Sequence, residues 1–206
     1  LRPIGFGKVG SCLVIYSMAD KFKVAIFSSG NGSNFEAIVR ADIPNVEVSF
    51  LFCNVLDAYV LERAKKLSVP IITLSHKDYK LRKDYETEII SLIEGNKLDL
   101  IVLAGFKIIF SPFFTTKFEN KSFHLHPSLL PAFTGLHAPR QALEYGAKYT
   151  GCTVHFVDDG IDTGPIILQG RVHIDKNDTE DSLLAKINKK EHEVLPRAIE
   201  LISKDK

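Results

Sequence analysis

Three absences narrow this 206-residue sequence before any motif is read. Cysteine is scarce: Cys12, Cys53 and Cys152 are scattered, odd in number and without a CxxC pair. That excludes a disulfide framework and points to a reducing compartment. An excess of one charge is missing too, with 26 basic against 25 acidic side chains. A dedicated nucleic-acid binder is more basic than that. No apolar run approaches the about 20 residues of a membrane-spanning helix. A chain of this length is expected to form one domain, with a core large enough to need no disulfides.

Methionine is rare as well, and Met18 is the only one. It follows a stretch with glycines at positions 5, 7 and 10 and no helical period. The apolar run "CLVIY" in that stretch is too short for the core of a signal peptide. Residues 1–17 therefore read as an extension without function, Met18 as a candidate start, and residues 18–206 as a single domain.

From Lys23 the pattern alternates apolar strands with amphipathic helices. "KVAIFSS", "VEVSFLFCN", "VPIITLS" and "LDLIVLAG" read as strands, the last apolar enough to be buried on both faces. "SNFEAIVRA", capped by Ser33 or Asn34, "AYVLERAKKL" and "KDYETEIISLIEGN" read as the helices between them. Alternation of this kind predicts an α/β fold: a mainly parallel, twisted sheet with helices on both faces and a Rossmann-like N-terminal half. Further on, Thr150–Val157 and Pro165–Ile174 read as strands. "SLLAKINKKEHEVLPRAIELIS" reads as a helix kinked or broken at Pro196.

Ligands of such sheets bind beyond the carboxyl ends of the strands. "SSGNGSN" lies there, between a strand and a helix. Its glycines let backbone N–H groups converge, and the helix N-terminus adds about half a positive charge, which suits a phosphate. It is no Walker loop, and Phe35 stands where a dinucleotide fingerprint has its third glycine. The alternative to a phosphate site is a tight, capped βα turn with no ligand.

"SFHLHPSLLPAF" holds His124 and His126 two residues apart, hence on one face of a strand. Three readings stay open on the residues alone. The pair could ligate a metal, with a third ligand from His155, Asp158, Asp159 or Asp162. One imidazole could serve acyl transfer, by moving a proton or donating to an oxyanion. Or both are ordinary polar residues at a strand end. The loop "VDDGIDTGP" offers carboxylates to tune an imidazole, although Asp and Gly also simply favour turns.

"SSGNGSN", "IVLAGF", "HPSLLPAFTGLHA", "TGCTVHFVDDGIDTGPIILQ" and "EHEVLP" together carry a resemblance. In order and spacing, over roughly residues 22 to 200, they resemble the phosphoribosylglycinamide formyltransferase family of folate-dependent enzymes. The resemblance implies the formyltransferase fold and a cytoplasmic transferase of de novo purine biosynthesis. It would move a formyl group from 10-formyltetrahydrofolate, its co-substrate, to the amine of glycinamide ribonucleotide. No metal is implied, nor nucleic acid or membrane; a homodimer is left open. His126 and Asp162 fall on the family's catalytic positions. Gly32, Ser33 and Asn34 fall on its substrate-phosphate loop, and Glu191 where it approaches the glycinamide substrate. Arg82, Lys107, Ile108, Ile109 and Phe110 fall on folate-contacting positions. The resemblance also pairs His126 with Asp162, whose charge is expected to raise the pKa of the imidazole.

One position departs from the family. His124 stands where the family has an asparagine whose amide helps hold the formyl oxygen, so His124 enters the catalytic group as an altered oxyanion donor. That departure keeps two alternatives in play. One is a hydrolase, either a 10-formyltetrahydrofolate deformylase or a metal-assisted enzyme using the histidine pair. The other is a protein that binds both ligands and turns over neither.

Overall fold

The computed structural model describes residues 6–9, 12–15 and 21–204. Met18, the candidate start, lies outside them. Within the stretch read as an aperiodic extension, strands β1 (Phe6–Val9) and β2 (Cys12–Ile15) pair antiparallel as a small sheet of their own. Their backbone groups therefore find partners in each other, which the broken sequence pattern does not announce.

The principal sheet is built by β3 (Phe22–Ser28), β4 (Val46–Cys53), β5 (Ile71–Thr73), β6 (Leu100–Leu103), β7 (Ser122–His126), β8 (Tyr149–Phe156) and β9 (Ile166–His173). Their spatial order is β5-β4-β3-β6-β7-β8-β9. The first five strands run parallel, and β8 and β9 are antiparallel. The mainly parallel α/β fold expected from the alternation is thus present. Strand order reverses between β3 and β6, and sheets of this kind bind ligands beyond the carboxyl ends of the strands at such a point.

Side-chain alternation divides the core into two layers. Val24, Ile26, Leu100, Val102, Phe123 and Leu125 face one side. There they meet α1 (Ser33–Arg40), α2 (Val60–Lys66), α5 (Ala138–Tyr145) and α6 (Glu180–Lys204). Ala25, Phe27, Phe50, Phe52, Ile101 and Leu103 face the other side, against α3 (Arg82–Gly95) and the short α4 (Pro112–Thr115). That second layer is aromatic: Phe110 and Phe114 stack with centroids 3.7 Å apart, and Phe27 on Phe52 at 4.4 Å. Among the strands, its buried apolar residues stop at β6. On β7 the same face carries His124 and His126 instead, so the helical layer ends where the polar residues begin.

Two local expectations are corrected. Helix α6 runs unbroken through Pro196. The ring removes one backbone donor, but buried Val194, Leu195, Ala198 and Ile199 hold the helix to the sheet on both sides of it. The N-cap of α1 is neither Ser33 nor Asn34. It is Gly32, in the left-handed region at φ 77°, and no side chain caps the helix.

Candidate active site

Three groups of residues converge on the carboxyl edge of the sheet. The first is the loop after β3. A Cβ at Gly32 would lie 2.3 Å from Val60 Cγ2, so a bare backbone is required on packing as well as conformational grounds. Arg63 braces the loop, donating from Nε and Nη2 to the backbone and side-chain oxygens of Asn31, each at 2.9 Å. Asn34 Nδ2 donates to Glu191 Oε2 at 2.9 Å, which ties the loop to α6. Glu191 is buried, and desolvation raises its pKa while the Asn34 bond opposes the rise. The loop of Gly32, Ser33 and Asn34 and the residue Glu191, expected from the resemblance to face the substrate, are thus brought together from opposite ends of the chain.

The second group is the segment after β6. The Ser29 N–H donates to the Gly105 carbonyl at 3.1 Å, and Ser29 Oγ accepts from the Lys107 N–H at 3.0 Å. Arg82 donates from Nη2 to the Ile109 carbonyl and from Nε to Glu86 Oε1, the latter at 2.9 Å. Buried Glu86 also accepts the Ser111 N–H at 2.9 Å. The five positions matched to folate contact therefore form one unit, but their side chains diverge. Ile109 is exposed, whereas Phe110 is buried in the aromatic layer and offers a ligand no side-chain surface of consequence.

The third group surrounds Asp162. Its carboxylate is approached by His124 Nδ1 at 3.6 Å, His126 Nδ1 at 3.2 Å and His155 Nε2 at 3.7 Å. The Gly135 N–H donates to Oδ2 at 2.8 Å. The two β7 histidines do share a face. The third arrives because β8 pairs antiparallel with β7 in a register that sets His155 directly opposite His124. His155 is a residue that sequence reasoning placed only among candidate metal ligands; the signal that could have promoted it is the pairing of "SFHLH" with "TVHF". The three acids of the loop separate by role. Asp158 accepts from the Gly160 N–H and from Thr163 Oγ1, Asp159 accepts from Thr115 Oγ1, and only Asp162 enters the cluster. Asp162 does so with φ 57°, a conformation unusual for a non-glycine residue.

Tautomers follow from the carbonyl partners, which can only accept. His126 donates Nε2–H to the Phe133 carbonyl at 2.8 Å, and His155 donates Nδ1–H to the Phe156 carbonyl at 2.9 Å. A neutral His126 or His155 then turns a lone pair toward Asp162, and a positive charge in the cluster relieves that repulsion. Burial alone would raise the pKa of Asp162. The nearby rings of His124 and His155, the Gly135 N–H bond and the charge of His126 outweigh it and hold the carboxyl well below its usual range. His126 moves opposite to expectation: burial pushes its pKa down, against the raising pull of the Phe133 carbonyl and Asp162. The two directions conflict, because a depressed Asp162 draws on charged rings that burial of His126 discourages. The ionised carboxylate is the firmer of the two, since the Gly135 N–H supports it whatever the rings carry. Of the three rings around Asp162, His124 is the most exposed, with 29% of its side chain accessible against 3% for His126 and 4% for His155.

With that geometry in place, likeness to known proteins becomes decisive. The formyl transferase family model matches residues 22–199. This chain belongs to the formyl transferase family. Its fold is that of the glycinamide ribonucleotide transformylases: transformylase 1 from Symbiobacterium toebii superposes with a TM-score of 0.88 at 36% identity, covering 95% of this chain and 94% of that one. The phosphoribosylglycinamide formyltransferase of Bacillus subtilis is 39% identical over 180 residues, 86% of this chain and 92% of its own length. The trifunctional purine biosynthetic protein adenosine-3 of Drosophila melanogaster is 40% identical over 185 residues, 87% of this chain. This chain spans only 14% of the length of that relative.

Proposed function

We propose that this formyltransferase domain moves the formyl group of 10-formyltetrahydrofolate to the amine of glycinamide ribonucleotide, in the cytoplasm and as a step of purine synthesis. The observation that carries the reading is the Asp162–His126 contact of 3.2 Å at the carboxyl edge of a formyl transferase fold. In the reaction the amine attacks the formyl carbon and its carbonyl oxygen becomes an oxyanion. The bond from that carbon to N10 of the folate then breaks, the incoming nitrogen loses a proton and N10 gains one.

Each group has a part in that sequence. The Gly32–Asn34 loop takes the substrate phosphate on backbone N–H groups at the N-terminus of α1. Glu191, held by Asn34, lies on the side from which the glycinamide enters. Arg82 and the Lys107–Phe110 segment border the folate, with the exposed Ile109 and the backbone as contact surface. His124 turns Nδ1 toward Asp162, which leaves Nε2 as the donor for the oxyanion. His126 supports the same charge once its ring leaves the Phe133 carbonyl. Asp162 aligns both rings and favours their charged forms as negative charge grows on the formyl oxygen. Transfer by this route uses no metal.

The test is an absorbance assay for tetrahydrofolate release, run with glycinamide ribonucleotide and again without it. Release that needs the ribonucleotide and yields its formylated form is the expected result. Equal release in its absence identifies a deformylase and refutes the proposal, and binding of both ligands without release identifies a binding-only protein.

A further inference from the structure

We propose that His124, His155 and Asp162 form a site for a divalent first-row transition cation of the zinc class. The site overlaps the reaction centre of the proposed transferase and exists because position 124 carries an imidazole. Nδ1 of His124, Nε2 of His155 and a carboxylate oxygen of Asp162 all lie within 4.8 Å of one another. Zinc sits about 2.0–2.1 Å from imidazole nitrogen and carboxylate oxygen, so tetrahedral donors lie about 3.4 Å apart. The separations from Asp162 Oδ1 to His124 Nδ1 and His155 Nε2 are 3.6 and 3.7 Å, close to that spacing.

Two of the three donors are already oriented for it. His155 is buried, and its Nε2 has no hydrogen-bond partner. The Nδ1–H bond to the Phe156 carbonyl fixes the tautomer that leaves the Nε2 lone pair facing Asp162. Bonding the distal nitrogen to a backbone carbonyl is how metal-binding histidines are oriented. Asp162 is oriented likewise: Oδ2 takes the Gly135 N–H and faces His126, leaving Oδ1 to the other two rings. Two imidazoles and one carboxylate select zinc, iron, cobalt or nickel over magnesium and calcium. The partial exposure of His124 leaves the group accessible to solvent, which can supply a fourth ligand. An asparagine at 124 would offer only a neutral amide, so the family's usual residue does not complete the triad.

The site answers the electrostatic problem of the cluster, in which lone pairs of neutral rings face a carboxylate. A cation there draws Asp162 and His124 away from the oxyanion, so its occupancy blocks formyl transfer.

Cobalt(II) tests the site without recourse to activity. The full chain and His124→Asn, both stripped with chelator, are titrated with Co²⁺ and followed by visible absorbance, with Zn²⁺ competition giving the affinity of the spectroscopically silent ion. The expected result is one Co²⁺ per parent chain, with the intense bands of a low-symmetry four-coordinate site. In His124→Asn the affinity should fall by at least about 100-fold, the upper range for loss of a mere outer-sphere partner. A parent that gives no bands, or a variant that binds as well as the parent, overturns the site. Because His124 is partly exposed and asparagine is the family's residue, the variant is expected to fold; circular dichroism and melting temperature verify that. Folate release measured on the same samples separates this inference from the assignment of transfer chemistry. Cation binding that leaves transfer untouched keeps the site but overturns its blocking of transfer, and counts against a part for Asp162 in the reaction.

Discussion

Replacing Asp162 with asparagine isolates the charge of the cluster from its shape. The amide has the size of the carboxylate and can still accept the Gly135 N–H, so the loop keeps its principal anchor. What disappears is one negative charge 3.2 Å from His126 and 3.6 Å from His124. At an effective dielectric of about 20, a unit charge on His126 at that distance interacts with the carboxylate by about 5 kcal/mol before any compensation. Loss of an acid–base group costs roughly 10²–10⁴ in rate, or about 3–5 kcal/mol of barrier. The two magnitudes agree, so kcat is expected to fall by roughly 10²–10⁴. The KM for the ribonucleotide should change little, because Asn34 and Glu191 do not contact Asp162. Steady-state folate release is the assay, run with chelator so that removing a metal ligand does not confound the result. A variant with an unchanged melting temperature and more than about a tenth of the parental kcat would refute the reasoning, being far above the range for such groups.

Other perturbations probe separate links. His124→Asn restores a donor that does not titrate, and is expected to raise kcat and simplify the pH–rate profile; a slower variant in metal-free buffer counts against an oxyanion role for position 124. A Cβ at Gly164 would lie 1.8 Å from the Phe156 carbonyl oxygen that orients His155, so Gly164→Ala should lower both melting temperature and kcat, read by calorimetry and the same assay. Glu191 has a raised pKa in the folded state, so the fold binds its proton more tightly than the unfolded chain does, and stability from this group is lost as pH rises from the ordinary glutamate value through the folded one. Glu191→Gln should therefore raise the melting temperature more at pH 7 than at pH 4, and an equal change at both would contradict the burial argument. Deleting residues 1–17 should leave melting temperature and kcat within error, since β1 and β2 pair with each other and not with the principal sheet; a drop of many degrees would show that the hairpin packs as part of the domain.

Gly32 shows where a sequence argument reaches the right residue by an incomplete route. Valine there would be expected to crowd a phosphate loop. The structure adds that any Cβ collides with Val60 and must adopt φ 77°, so the substitution perturbs folding as well as binding. Asn34 is the cleaner probe of the loop.

By itself the sequence determined what depends on neighbours along the chain. Periods of two and of three to four residues separate strands from helices, and their alternation dictates a parallel sheet and the edge on which ligands bind. The spacing of His124 and His126 puts both rings on one face for the same local reason. Tertiary structure alone decided which distant groups meet them. The antiparallel register of β8 against β7 brings His155 opposite His124, and a left-handed turn selects Asp162 over Asp158 and Asp159. Sheet packing carries α6 through Pro196 and sinks Phe110 into the aromatic layer. Burial turns the pKa of His126 downward where an adjacent carboxylate predicted a rise. Register, burial and desolvation are sums over contacts far apart in the chain, and no local pattern encodes them.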